Sequence, residues 1–158
     1  IALVSGGKPY TLKVISWNEG GSGIVRAVVS KPPAIGECNL FVQPKDPKGA
    51  PAVTFDDVFT ISGPVIVWSP PSGSAGDVIP LAGHCFGTKR GKVYVEYSGT
   101  KGTVQKSCKV LSWPADPDDA TQFGIVQISV PSGIPIGDWT LVVDNKVGKA
   151  SVPFTISN

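Results

Sequence analysis

The chain has 158 residues, enough for one or two domains, and its 41% hydrophobic and 16% charged content lets it bury a core and excludes a solvated, disordered linker. No apolar run approaches the roughly 18 to 20 residues that a membrane-spanning helix needs. The 14 basic and 12 acidic residues are scattered, for a net charge of +2, which argues against nucleic acid as a partner because phosphate contacts need a clustered basic face.

The chain opens on Ile1 and contains no Met, so the expectation is a processed chain or a fragment. Low charge and abundant Thr, Ser, Gly and Val predict an exported, extracellular protein. Short segments rich in β-branched and aromatic residues then alternate with Gly, Pro, Asp and Ser. They predict strands at 10–17, 23–30, 38–43, 58–62, 65–68, 78–83, 92–97, 106–113, 124–130, 139–144 and 151–156. Period-2 alternation is clear where Val93, Val95 and Tyr97 flank Tyr94 and Glu96. Helical spacing never persists, and Pro interrupts nearly every window. The predicted class is all-β, built as sandwiches.

An internal repeat organises these strands. Lys13-Val14-Ile15-Ser16-Trp17 returns as Lys109-Val110-Leu111-Ser112-Trp113, and Gly23-Ile24-Val25 as Gly124-Ile125-Val126. Ile35-Gly36-Glu37-Cys38 matches Ile136-Gly137-Asp138-Trp139, and Val58-Phe59-Thr60-Ile61-Ser62 matches Pro153-Phe154-Thr155-Ile156-Ser157. Nearly constant offsets describe one unit used twice. The predicted domains are 1–62 and 63–158. From Pro64, 49 residues precede Trp113, whereas 16 precede Trp17. The first copy therefore lacks about 33 residues of the unit, its N-terminal strands. Trp17 matches Trp113, Phe59 matches Phe154, and Trp139 takes the place of Cys38, which predicts core roles for these aromatics.

The second copy carries a family resemblance. Pro64 opens a strand, followed by Pro70, Gly73 and Gly76 in a Pro-x-x-Gly-x-x-Gly turn, a second strand, and Gly83-x-x-Phe86-Gly87. With Pro131, Gly137, Trp139 and the closing Phe154-Thr155-Ile156-Ser157, this resembles an IPT/TIG domain. The resemblance covers 64–158, and 1–62 through the repeat. It implies an immunoglobulin-like early-set sandwich, a fold used for spacing and protein contacts in bacterial surface arrays. It also occurs in accessory modules of starch-acting enzymes, in receptor ectodomains and in Rel-type transcription factors.

Few residues offer chemistry. His84 is the sole histidine, so a His pair for a metal is excluded, and no nucleophile can be named beside it for a triad; an exposed or packing role is expected for it. Gly20-Gly21-Ser22-Gly23 lacks the strand-to-helix context of a phosphate loop and reads as a hairpin turn. Asp116, Asp118 and Asp119 could supply oxygens to Ca²⁺, against the ordinary alternative of an acidic turn around Pro117. No other cofactor is expected. Cys85 and Cys108 are the disulfide candidates, if they face each other across the sheets, while Cys38 reads as a small buried hydrophobe. Trp68 and Tyr94 are candidate surface contacts. Lys89-Arg90-Gly91-Lys92 reads as a turn.

No nucleophile–base pair can be named, so an enzyme is not expected. The expectation is a non-enzymatic structural and interaction module of an exported, bacterial cell-surface or filament-type protein. The alternative is an accessory carbohydrate- or ligand-binding module of a larger secreted enzyme or receptor. The expected partners are other protein chains, including copies of this one. The short first copy would expose apolar faces and an unpaired strand edge. Two origins stay open for it: a cut within a longer array, or completion by strands of another polypeptide.

Overall fold

Where β-branched and aromatic residues alternate between Gly and Pro breaks, the extended ladder is the one arrangement that satisfies the backbone. The computed structural model describes residues 1–17, 25–29, 31, 33–43, 51–100, 102–114 and 123–158, and forms such ladders over most of them. Among these there is no helix. The chain divides into two units, Ile1–Ser62 and Gly63–Asn158.

The first unit contains β1 (Ala2–Ser5), β2 (Lys8–Thr11), β3 (Lys13–Trp17), β4 (Val25–Val28), β5 (Gly36–Val42) and β6 (Val53–Ile61). One sheet runs β2-β1-β5-β6, and β3 pairs with β4 in a separate ribbon.

The second unit holds β7 (Val65–Trp68), β8 (Ser72–Ser74), β9 (Val78–His84), β10 (Lys92–Gly99), β11 (Gly102–Ser107) and β12 (Lys109–Ser112). It continues with β13 (Gly124–Ser129), β14 (Gly137–Asp144) and β15 (Lys149–Ser157). Its sheets run β11-β10-β14-β15-β8 and β12-β13-β9-β7. Leu81, Val126 and Ile128 from one sheet meet Val95, Leu141, Val143, Phe154 and Ile156 from the other in a single buried core. This is a β-sandwich.

Pairing in the two units agrees residue for residue over much of its length. Lys13 pairs with Val28 and Val14 with Ala27, then a bulge intervenes before Ser16 pairs with Arg26. Lys109 pairs with Ser129 and Val110 with Ile128, then a bulge intervenes before Ser112 pairs with Gln127. Cys38 faces Phe59 as Trp139 faces Phe154. The crossing between sheets also recurs. Leu12 N–H donates to the Ile1 carbonyl at 3.0 Å, and Cys108 N–H donates to the Val93 carbonyl at 2.8 Å.

Those crossings correct the sequence expectation. The single strands predicted over 10–17 and 106–113 each break in two, at Leu12 and at Cys108, because the chain changes sheet there. A one-residue crossing leaves the apolar alternation undisturbed, so the pattern shows no break. The hairpin strand β1 and the short β8 lie outside the predicted set. The first unit also has a bulge of its own: Asp57 adopts φ 49°, held by an N–H bond to Asn39 Oδ1 at 3.0 Å, and Asn39 Nδ2 donates to Asp56 at 2.8 Å.

Among the described residues, nothing in the first unit corresponds to β7, β8 or β9. Ile1 stands where Val93 does, so the stretch without a counterpart is 64–92 rather than the longer one that counting from the Trp residues gives.

Candidate functional site

In the second unit β13 pairs with β12 on one side and β9 on the other, and β15 is flanked by β14 and β8. Their counterparts β4 and β6 pair only with β3 and β5 among the described residues. Each therefore presents an edge whose N–H and C=O groups have no ladder partner.

The side chains follow the backbone. Phe154 is 1% exposed, whereas its counterpart Phe59 is 48% exposed. Val110 is 6% exposed and Val14 is 41%. In the second unit, β8 and β9 supply the cover: a Cβ added to Gly73 would stand 3.2 Å from the Phe154 ring, and Leu81 is fully buried in the core. Between the β3–β4 ribbon and the larger sheet of the first unit lies an open cavity of about 360 Å³, walled by Leu3, Leu12, Val25, Ala27, Leu40 and Phe59 among others. Its lining is apolar. Such a space can bind hydrophobic side chains and has no group that could move a proton.

Not all surface apolar residues belong to this site. Ile15 and Leu111 are exposed in both units, and so are Ile35 and Ile136. Exposure that recurs is a property of the framework; exposure confined to the first unit marks what β7–β9 cover.

The residues singled out by sequence fall as follows. Cys108 and Cys85 are not bridged: the Cys108 thiol is free and buried. Lys109 pairs with Ser129 and Gly83 with Gly124, at opposite ends of β13. Five residue steps of about 3.3 Å keep the two cysteines well beyond the roughly 7 Å Cα separation a disulfide allows. Cys108 occupies the place of Leu12 and acts as a small core hydrophobe. Burial pushes its pKa to about 12. Cys38 is buried opposite Phe59.

Tyr94 is not a surface contact. It is 7% exposed, covered by Lys149, whose Nζ lies 5.8 Å from the ring centre and donates to the Tyr94 hydroxyl at 3.2 Å. That hydrogen bond, with the nearby Asp144 carboxylate, raises the Lys149 pKa. The exposed tyrosine is Tyr97, 5.8 Å from the Trp139 ring at a second cavity of about 470 Å³. Alternation along β10 offers no signal for this, since it puts the exposed Tyr97 on the face of the core residues Val93 and Val95 and the buried Tyr94 on the opposite face with Glu96.

Trp139 is buried, with Nε1 donating to the Pro135 carbonyl at 3.0 Å. Trp113 packs partly buried against the core and donates to Gly87 O at 2.7 Å. Phe59 departs from its expected core role because the strands that cover Phe154 have no equivalent around it. Trp68, on edge strand β7, is 56% exposed. His84 packs against Phe123 with ring centres 4.1 Å apart and ring planes tilted by 54°. Arg90 is engaged structurally, donating to the Val110 carbonyl at 2.6 Å.

Asp116, Asp118 and Asp119 lie outside the described residues, as does the Gly20–Gly23 turn. Among the described residues no group of three or more His, Cys, Asp or Glu could hold a metal ion, and no helix is long and apolar enough to cross a membrane. No model of a known protein family matches the chain, and no curated protein matches it.

Proposed function

We propose that this chain is a non-enzymatic structural and interaction module of an exported cell-surface or filament-type protein, made of two IPT/TIG-like, immunoglobulin-like units in tandem. The carrying observation is the uncovered apolar face of the first unit, with Phe59 and Val14 exposed where Phe154 and Val110 are buried. Apolar faces of that kind mark places where further protein strands pack, whether of the same polypeptide or of another. The shared register of β3–β4 with β12–β13 supports the tandem reading.

A second reading has its own support. Trp68 is exposed on β7, and Tyr97 is exposed at a cavity that Trp68 does not line; each ring could stack on a sugar. A glycan array probed with the whole chain decides between them. The interaction module retains no sugar specifically. Specific retention that disappears in Trp68→Ala or Tyr97→Ala variants would overturn it in favour of an accessory carbohydrate-binding module.

A further inference from the structure

We propose that the second unit carries a binding site for a phosphate group, free or as a monoester, where the segment between β9 and β10 meets the turn between β14 and β15. The site lies within one unit and goes beyond the interaction reading.

Along the sequence the basic residues are scattered, and Lys89, Arg90 and Lys92 read as a turn. The fold gathers them with others. Lys92 pairs with Asp144, and Asp144 with Lys149, in one row across β10, β14 and β15. Cross-strand neighbours of that kind share a face of the sheet. Lys146 stands in the turn that follows β14. Lys89, Arg90, Lys92 and Lys146 are all exposed, and with Asp144 and Asn145 they line a cavity of about 310 Å³. Counting Lys149, five cations surround one carboxylate, in a chain whose whole net charge is +2. That carboxylate is already engaged, since Lys149 Nζ lies 3.5 Å from Asp144 Oδ2. Like charges gathered on one rim repel each other, and a bound anion removes that repulsion.

The protein itself fixes both segments. Trp113 Nε1 donates to the Gly87 carbonyl at 2.7 Å, and Arg90 Nη2 donates to the Val110 carbonyl at 2.6 Å. Gly91 packs so tightly on the end of β14 that a Cβ there would stand 2.5 Å from the Asp144 carbonyl oxygen. Across the cavity, Asn145 N–H donates to the Gly148 carbonyl at 3.0 Å. Asn145 Oδ1 accepts from the Val147 and Gly148 N–H groups at 2.8 and 2.9 Å. A ligand therefore meets a preformed backbone and has only long side chains to order.

The rim selects the ligand. Ammonium and guanidinium groups offer donors and no acceptors, so the complement is an anion rich in acceptors. A phosphate monoester carries about two charges at neutral pH and three strong acceptor oxygens, more of both than a carboxylate. The cations crowd one corner of the sandwich and do not run along a strand. Their footprint therefore suits one phosphate group, not the regular phosphate row of a nucleic acid.

The test titrates the full chain with inorganic phosphate and with glycerol phosphate at fixed ionic strength, followed by amide NMR. Saturable shifts at millimolar ligand are expected at 87–92 and 145–149, with one phosphate per chain. Lys89→Ala and Lys146→Ala, exposed substitutions that leave the fold intact, should each weaken binding at least threefold. Lys106→Ala, on β11 of the same sheet, should leave it unchanged, and acetate should give no saturable shift. Tighter binding of glycerol phosphate identifies a phosphate ester as the ligand, and tighter binding of inorganic phosphate the free ion; either supports the site. Shifts that grow linearly with phosphate, an equal response to acetate, or an equal loss in Lys106→Ala would reduce the cluster to a diffuse counterion effect and overturn the proposal. A single-stranded oligonucleotide without terminal phosphate that binds through the same residues more tightly than either probe assigns the cluster to nucleic acid and also overturns it. The interaction reading stands or falls separately from all of these outcomes.

Discussion

The two units present one strand framework under two burdens. In the second, β7–β9 close the sandwich, and Phe154, Val110 and Val126 are buried. In the first, the matching positions hold Phe59, Val14 and Val25 on the same backbone register, and Phe59 and Val14 stand exposed. Sequence similarity at a core position therefore does not make a core residue. Burial belongs to the partner strand as much as to the side chain.

Truncating the paired aromatics should give the largest contrast. Phe154→Ala or Trp139→Ala should cost the second unit about 3–5 kcal/mol, the usual range for emptying a large aromatic site. Phe59→Ala should cost the first unit about 1 kcal/mol or less, since half of its surface is already wet. Chemical denaturation of each variant measures both, and equal costs would erase the contrast. Next in size, Gly83→Ala drives a Cβ into the Val65 carbonyl. It should destabilise the second unit by about 2–3 kcal/mol through overpacking and expose β7 to proteolysis, with no effect on the first unit.

Asn145 ties the end of β14 to the segment that follows β9. Its Nδ2 donates to the Cys85 and Phe86 carbonyls, both at 3.1 Å, and its Oδ1 accepts from the Val147 and Gly148 N–H groups. Asn145→Ala should cost about 2 kcal/mol by leaving those groups unpaired, again only in the second unit. The smallest effect concerns pH. The Cys108 pKa is raised to about 12 from 9.0, so the folded state keeps a proton that the unfolded chain gives up. That contribution is complete below pH 9 and is lost as pH rises toward 12. Denaturation midpoints across that window should fall less steeply in Cys108→Val than in the parent, and the native thiol should resist alkylation at pH 8.

Much of the framework was legible because period-2 alternation and Gly or Pro punctuation report strands directly, and Trp139 and Phe154 sit where that pattern places a core. The pattern could not report which sheet a strand joins. Leu12 and Cys108 continue the alternation while the chain crosses between sheets, which hid the crossing and made a disulfide between Cys85 and Cys108 look reachable. The hairpin at Gly6-Gly7 carried a legible signal, two glycines between extended segments, with φ values of 55° and 75°. Tyr94 defies the local pattern because Lys149, far along the chain, lies over its ring. The exposed state of Phe59 was illegible for a related reason: nothing local to it changes, and only the strands opposite differ.

Hydrogen exchange on the intact chain, read residue by residue along β4 and β13, tests the contrast most directly. The account predicts that the amides of β13 facing β9 exchange only with global unfolding of the second unit, while the amides of β4 facing away from β3 exchange at nearly unstructured rates. Equal protection of the two strands would contradict it, by showing that the first unit is already closed.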